Sequence, residues 1–316
     1  MARKTSTGIR KPMSPEARAK IAQAVKKSAQ KKRIEAGLPP DSVLPNTPRR
    51  SKPLDIVQMR NQTFPKDLFV PMKTGRAIDW MFTEEGGIPK ATNYLIVGDP
   101  GVGKSTVSLD IMADLVNNGY KCLFISAEMT RIDLYKYVKR YPKFGYVDSL
   151  FLGEYIDDCP KLVMEELLDV GYDVVLIDSF VEVQDAVKES SRMTTNAAEK
   201  WLVDLMLRHN LANNDSEKNT CFLCIQQVTK GGVFLGSNKL KHSTTGMLEL
   251  RFEEGSTEFS YLQFTKNRRG PAMQKVYFGI RQGGHVSYMD GLGNEDIVGE
   301  GENPLKSLAN PNPFAG

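Results

Sequence analysis

Nine consecutive residues, Gly98-Asp-Pro-Gly-Val-Gly-Lys-Ser-Thr106, have the types and spacing to hold a polyphosphate. They read G-x-x-x-x-G-K-S, the phosphate-binding loop. Glycines at these positions let backbone N–H groups converge on phosphate oxygens, and the N-terminus of a following helix adds partial positive charge. Lys104 is placed to reach the β- and γ-phosphates, and Ser105 to hold Mg²⁺. Gly98, Asp99, Pro100, Gly101, Val102, Gly103 and Thr106 complete the expected binding loop for ATP. A second acidic position follows in Tyr172-Asp-Val-Val-Leu-Ile-Asp178-Ser179. A bulky apolar strand that ends in an acid delivers its carboxylate to the C-terminal edge of a parallel sheet, where ligands sit. Asp178 is therefore expected to hold Mg²⁺ through water. Catalysis of phosphoryl transfer needs little covalent chemistry from the protein: charge neutralisation, an aligned water and transition-state stabilisation.

These residues need a scaffold of alternating strands and helices, and the surrounding sequence supplies one. Tyr94-Leu-Ile-Val97 reads as a buried strand before the loop, and Val107 to Val116 as a helix after it, closed by Asn117-Asn-Gly119. Lys121 to Ser126 reads as a second strand, Thr130 to Tyr141 as a helix, and Leu150-Phe-Leu152 as a short strand. Asp157 to Val170 reads as an amphipathic helix with Leu162, Val163, Leu167 and Leu168 inward. Phe180 to Thr195 is expected to be a polar loop, Asn196 to Leu211 a helix, and Thr220 to Val228 a strand. A second loop is expected from Lys230 to Ser243. Three short strands, Met247–Phe252, Phe259–Lys266 and Lys275–Ile280, are expected next. The pattern predicts an α/β fold, a mostly parallel central sheet flanked by helices, with antiparallel strands at the C-terminal side.

Composition narrows the class of protein. Among 316 residues no apolar run approaches membrane-spanning length, so no membrane partner is expected, and no secretory signal opens the chain. Cys122, Cys159, Cys221 and Cys224 are few and scattered, as in a reducing cytosol. Cys221-Phe-Leu-Cys224 has metal-like spacing, but in a strand residues three apart face opposite sides, so core packing is expected. The net charge of +4 conceals an asymmetry. Residues 1–53 hold 14 Lys/Arg against 3 Asp/Glu, a net of +11, which leaves 28 against 35, a net of −7, for the rest. Within that arm Ser14-Pro-Glu16 starts a helix expected over 14–36, and prolines 39, 40, 45, 48 and 53 make a linker. The expected organisation is a basic arm over 1–53, a core over 54–283 and a loose Gly/Pro/Asn-rich tail over 284–316. A charge run of this kind is either a solvated tail or a nucleic-acid-binding arm. Met13 to Val25 resembles, over about one helix, short DNA-binding modules found beside homing endonucleases.

In order along the chain, the short motifs resemble the RecA-like core shared by the bacterial repair ATPase RadA and the replicative helicase DnaB, over roughly residues 80–282. The loop at Gly98–Thr106 has the RadA form. Ser126-Ala-Glu128-Met129 resembles the strand end that carries the catalytic glutamate in that group. Val228-Thr-Lys230 and Lys239-Leu-Lys-His242 resemble the second DNA loop of RadA. Lys266-Asn-Arg-Arg-Gly-Pro271 sits between the K-N-R-F-G of RadA and the K-N-R-N-G-P of DnaB. The four-cysteine zinc module and Lon-protease-like domain of RadA, and the helical N-terminal domain of DnaB, have no counterpart in these residues. A minimal motor with a basic arm, as in phage-encoded relatives, is the expectation, located in the cytoplasm (the host's, if phage-encoded).

The resemblance implies roles for particular residues. Glu128 would orient and deprotonate the attacking water, or else it is an acid capping the following helix. Gln227 would sense the γ-phosphate, or else it is a polar strand end with a satisfied amide. Tyr135 would stack on adenine, or else it is a core residue. Lys266 and Arg268, two apart on a strand and so on one side, would enter the ATP site of a neighbouring subunit in a ring (hexameric) or filament, or else form a solvated turn. Lys230, Lys239, Lys241 and His242 in the second loop, and Lys188 and Arg192 in the first, would contact single-stranded or branched DNA. The implied function is an ATP-hydrolysing DNA motor; the alternative is a RecA-like regulatory ATPase that acts on protein partners.

Overall fold

The computed structural model describes residues 56–155, 157–210, 219–227, 238–253, 260–280 and 286–289. The chain divides into two units between Thr63 and Phe64. In the first, the described residues 56–63 hold one 3-10 turn, Met59–Asn61. The basic helix expected over 14–36 and the proline linker lie outside the described residues, as does the expected tail beyond 289.

The second unit is organised by one nine-stranded sheet in the order β3-β2-β4-β5-β1-β6-β7-β8-β9. Its strands are β1 Asn93–Gly98, β2 Cys122–Ser126, β3 Asp148–Phe151, β4 Val174–Asp178, β5 Cys221–Ile225, β6 Gly246–Phe252, β7 Ser260–Asn267, β8 Lys275–Ile280 and β9 Val286–Met289. The pairs from β3 across to β6 are parallel, and those from β6 to β9 antiparallel. β1, β2, β4 and β5 are buried along their whole length, as continuous apolar runs of parallel strands require. β6, β7 and β8 alternate buried and half-exposed residues, the mark of a sheet covered on one face.

Helices cover both faces of the parallel half. On one face lies α2, Lys104–Asn117, with Val107, Ile111 and Leu115 in one core, after the single turn α1, Asp79–Phe82. Next comes α3, Arg131–Arg140, whose Leu134 joins the same core. The other face carries α4, Pro160–Asp169; α5, Phe180–Ser190; α6, Thr195–Asn210; and α7, Asn238–Ser243. Met164, Val183, Leu202 and Leu240 form its core. The antiparallel end is tied to α2 through Arg76. Its guanidinium lies 2.9 Å from Asp110 and 3.1 Å from Asp114 on α2, and it also donates to the Val286 carbonyl of β9. Lys143 Nζ stands 2.7 Å from Asp110, whose side chain is fully buried and so needs such partners.

Four expectations are corrected. Residues 180–190 are not a polar loop but α5, because Phe180, Val183 and Val187 make a buried stripe at helical spacing among polar neighbours. On α4 the buried stripe is Pro160, Met164 and Leu168, while Leu162 points outward at 57% exposure. The second loop ends in α7, anchored by the buried Leu240. The segment expected as a loose tail begins with β9, whose Val286 and Tyr288 are buried as β9 pairs antiparallel to β8.

Candidate functional site

At the C-terminal edge of the parallel strands, β1 passes through the glycine loop directly into α2, so the helix begins at Lys104. Two glycines are forced there. At Gly98 (φ +155°) an added Cβ would stand 2.1 Å from the Leu250 carbonyl oxygen of β6. Gly103 has φ +100°, and its Cβ would meet the Ile280 side chain at 2.4 Å. The loop surrounds a cavity of about 490 Å³, the size of a nucleotide site. Gly98, Pro100, Gly101, Gly103, Lys104, Ser105 and Thr106 line it. Val102 does not; it is buried in the core. Lys104 Nζ donates to the Gly98 and Asp99 carbonyls at 3.0 Å each, folded back over its own loop. Burial lowers its pKa, against the raising effects of Asp178, Asp99 and Glu128.

Across the cavity the ends of β2, β4 and β5 present the remaining polar groups. Ser105 Oγ donates to Asp178 Oδ2 at 2.5 Å. Burial pushes the Asp178 carboxyl up to about 6; the Ser105 hydrogen bond opposes it, Glu128 adds to it and Lys104 opposes it. A hydroxyl and one carboxylate beside a phosphate loop suit Mg²⁺, which keeps several waters and takes few protein ligands. Glu128 stands just beyond β2 and lines the cavity, and Gln227, just beyond β5, donates its amide to Glu128 Oε1 at 2.8 Å. The two side chains expected separately, from the sequence, to act as catalyst and sensor are in direct contact. The helix-cap alternative for Glu128 is unneeded, because α3 is capped by Thr130 and Asp133 in a reciprocal capping box.

Two residues of the expected set face elsewhere. Tyr135 is 60% exposed on α3, with Lys139 over its ring at 5.0 Å, and does not line the cavity. Tyr137, two residues on, does line it, together with Ile280 from the end of β8. Successive helical residues turn by about 100°, so Tyr135 and Tyr137 occupy opposite sides of α3. Sequence reasoning missed Tyr137 and Ile280; an aromatic at each of two nearby helix positions was the only available signal. The Asp99 side chain also turns away, toward Arg251 of β6.

Lys266 and Arg268 lie at the other end of the sheet. Gly246 pairs with Asn267 and with Tyr94, whereas Gly98 pairs with Leu250. Four residues of strand, about 13 Å, separate the two levels. There Lys266 Nζ donates to the carbonyls of Lys241 and Thr244 at 2.6 Å each, and Arg268 to that of His242 at 2.8 Å. These cations therefore cap the C-terminus of α7, where carbonyls lack helical partners. Lys241 and His242 sit in that last turn, so they are not beside the chain's own nucleotide cavity. Lys239 belongs to the same helix. Lys188, on α5, is paired with Asp185 at 2.8 Å, and the exposed Arg192 follows with φ +50°. Lys230 lies outside the described residues.

Sheet order and loop geometry together define a RecA-like α/β fold, with the mostly parallel sheet and antiparallel C-terminal strands expected. Residues 72–146 match the family described as ATPase: KaiC. The DNA repair protein RadA of Campylobacter jejuni is 28% identical over 206 residues, which are 65% of this chain and 44% of the relative. RadA of Listeria monocytogenes is 28% identical over 203 residues, 64% and 42% respectively. The chain thus spans less than half the length of these relatives. Among solved structures, the KaiC-like protein PH0186 of Pyrococcus horikoshii superposes with TM-score 0.51 at 18% identity, covering 69% of this chain and 99% of that one. The RadB recombinase gives 0.50 at 16% identity, covering 68% and 98%. The resemblance to RadA read from the motifs is borne out, and the neighbours share the RecA-like fold.

Proposed function

We propose that this chain is an ATP-hydrolysing, DNA-binding motor of the RadA type, acting in recombination, repair or replication in the cytoplasm. The observation that carries the proposal is the convergence on one nucleotide-sized cavity of Lys104, the Ser105–Asp178 pair and the Gln227–Glu128 pair. Mg²⁺, when bound, supplies neutralisation of charge on the phosphate oxygens. Ser105 and Asp178 would hold it. On ATP binding, Lys104 exchanges its two loop carbonyls for phosphate oxygens. Glu128 takes the proton of the attacking water, and Gln227, its partner, reads whether a γ-phosphate is present and passes that state to the loop that follows β5. Tyr137 and Ile280 enclose the base.

The stranding of Lys266 and Arg268 about 13 Å from the chain's own loop supports a role in a neighbour's site, hence a ring or filament. DNA contact is proposed for Lys188, Arg192, Lys230, Lys239, Lys241 and His242, and for the basic arm. RadA relatives, described as DNA repair proteins, support the DNA assignment. The test is ATP turnover with and without single-stranded DNA, with Lys104→Ala as the blank. Stimulation that weakens with salt is expected, since phosphate contacts release counterions. Turnover indifferent to DNA would instead favour a regulatory ATPase acting on protein.

A further inference from the structure

We infer that Arg251 is a positioning residue for the phosphate-binding loop, acting through Asp99; the inference rests on the cavity being an ATP site. Asp99 is the second residue of the loop. An acid there, turned inward, repels phosphate. In the structure it is turned outward and fastened. Arg251 Nη1 donates to Asp99 Oδ1 at 2.7 Å, and the Phe252 N–H donates to Oδ2 at 3.3 Å. The Asp99 N–H donates to the Leu250 carbonyl at 3.2 Å.

Arg251 is itself fixed from the other side. Its Nε and Nη2 donate to Glu249 Oε2 at 3.2 and 3.1 Å, and Glu249 Oε1 accepts the Thr265 hydroxyl at 3.2 Å. A planar guanidinium held on two sides orients its partner far better than a free cation. Lys104 Nζ meanwhile rests on the Asp99 carbonyl, so the backbone that Arg251 steadies is the one the phosphate-binding lysine touches. Loss of Arg251 acts twice: the loop loosens, and a carboxylate is released one residue from the phosphate nest.

That second effect gives a signature that a merely structural residue lacks. Fluorescent ATP-analogue titrations compare wild type, Arg251→Met, Asp99→Asn and the double variant, with nucleotide-free thermal midpoints measured alongside. Arg251→Met is expected to weaken nucleotide binding about ten-fold, as loss of an outer partner of a binding group does. Asp99→Asn loosens the fastening but, having no carboxylate to release, introduces no repulsion, and weakens binding less. The double variant, which has no carboxylate to release, is expected to bind more tightly than Arg251→Met alone. Arg251→Lys keeps the charge but loses the planar fork that bridges Glu249 and Asp99, so it is expected to weaken binding by about three-fold, between wild type and Arg251→Met, and it serves if Arg251→Met does not fold. Unchanged affinity in Arg251→Met, a double variant no better than Arg251→Met, or an affinity loss that merely follows lowered thermal midpoints overturns the inference. A wild type that binds no ATP overturns the cavity reading itself.

Discussion

Among single residues, Asp178 carries the clearest conflict between stability and function. Burial raises its carboxyl to about 6, above the 3.8 of the unfolded chain. Below about pH 4 both states are protonated and the favourable burial is fully present. As pH rises through 6 the folded state must ionise a buried group, so that contribution is lost. Asp178→Asn is therefore expected to make the nucleotide-free protein more stable at pH 7.5, by up to about 3 kcal/mol, with no advantage near pH 4. Urea unfolding at the two pH values measures this; a wild type more stable at pH 7.5 contradicts it. In the proposed site the same change is expected to weaken Mg²⁺ binding. The loop was legible in the sequence because phosphate chemistry demands contiguous residues in a strand–loop–helix context, and Asp178 because it ends a continuous apolar strand. The outward turn of Asp99 was not, because its partner Arg251 lies 152 residues further along.

Secondary-structure elements set which way each side chain faces, and that is where sequence reasoning failed. The register of α3 decides between two tyrosines two residues apart, and the packing of Leu134, Tyr137 and Val138 against the core fixes it. Tyr137→Ala is expected to weaken nucleotide affinity about two- to ten-fold, the range for an aromatic contact, and Tyr135→Ala to leave it unchanged. Titration with a fluorescent ATP analogue separates them; the reverse order would return the base to Tyr135. Long apolar strands such as β4 and β5 were readable from their runs alone. Helix α5 was not, because four apolar residues, three of them buried, among seven polar or small ones mark a helix only when a sheet face lies beneath them. β9 was hidden for a related reason: four residues become a strand only beside β8.

Across the whole molecule, the proposed catalytic centre would draw on both ends of the sheet. The C-terminal edge carries the cavity, and the far end carries Lys266 and Arg268 on the carbonyls of α7. If those cations act on a neighbour, Arg268→Ala should bind ATP but not hydrolyse it, because its own loop is intact. Lys104→Ala should fail for the opposite reason. Mixed in equal amounts and shown to co-assemble, the two should recover part of the activity, since some interfaces then join an intact loop to an intact arginine. A mixture that stays at background returns Arg268 to its capping role on α7.

The central claim is that the cavity hydrolyses ATP with Glu128 as the group that activates water. Phosphate release by wild type and Glu128→Gln, at nucleotide concentrations that saturate both, tests it directly. Gln keeps the size and the hydrogen bond to Gln227 but cannot accept the proton. The account predicts equal nucleotide occupancy with turnover lower by about two decades or more in Glu128→Gln. Turnover at the wild-type rate, or a loss of nucleotide binding in place of turnover, would contradict it.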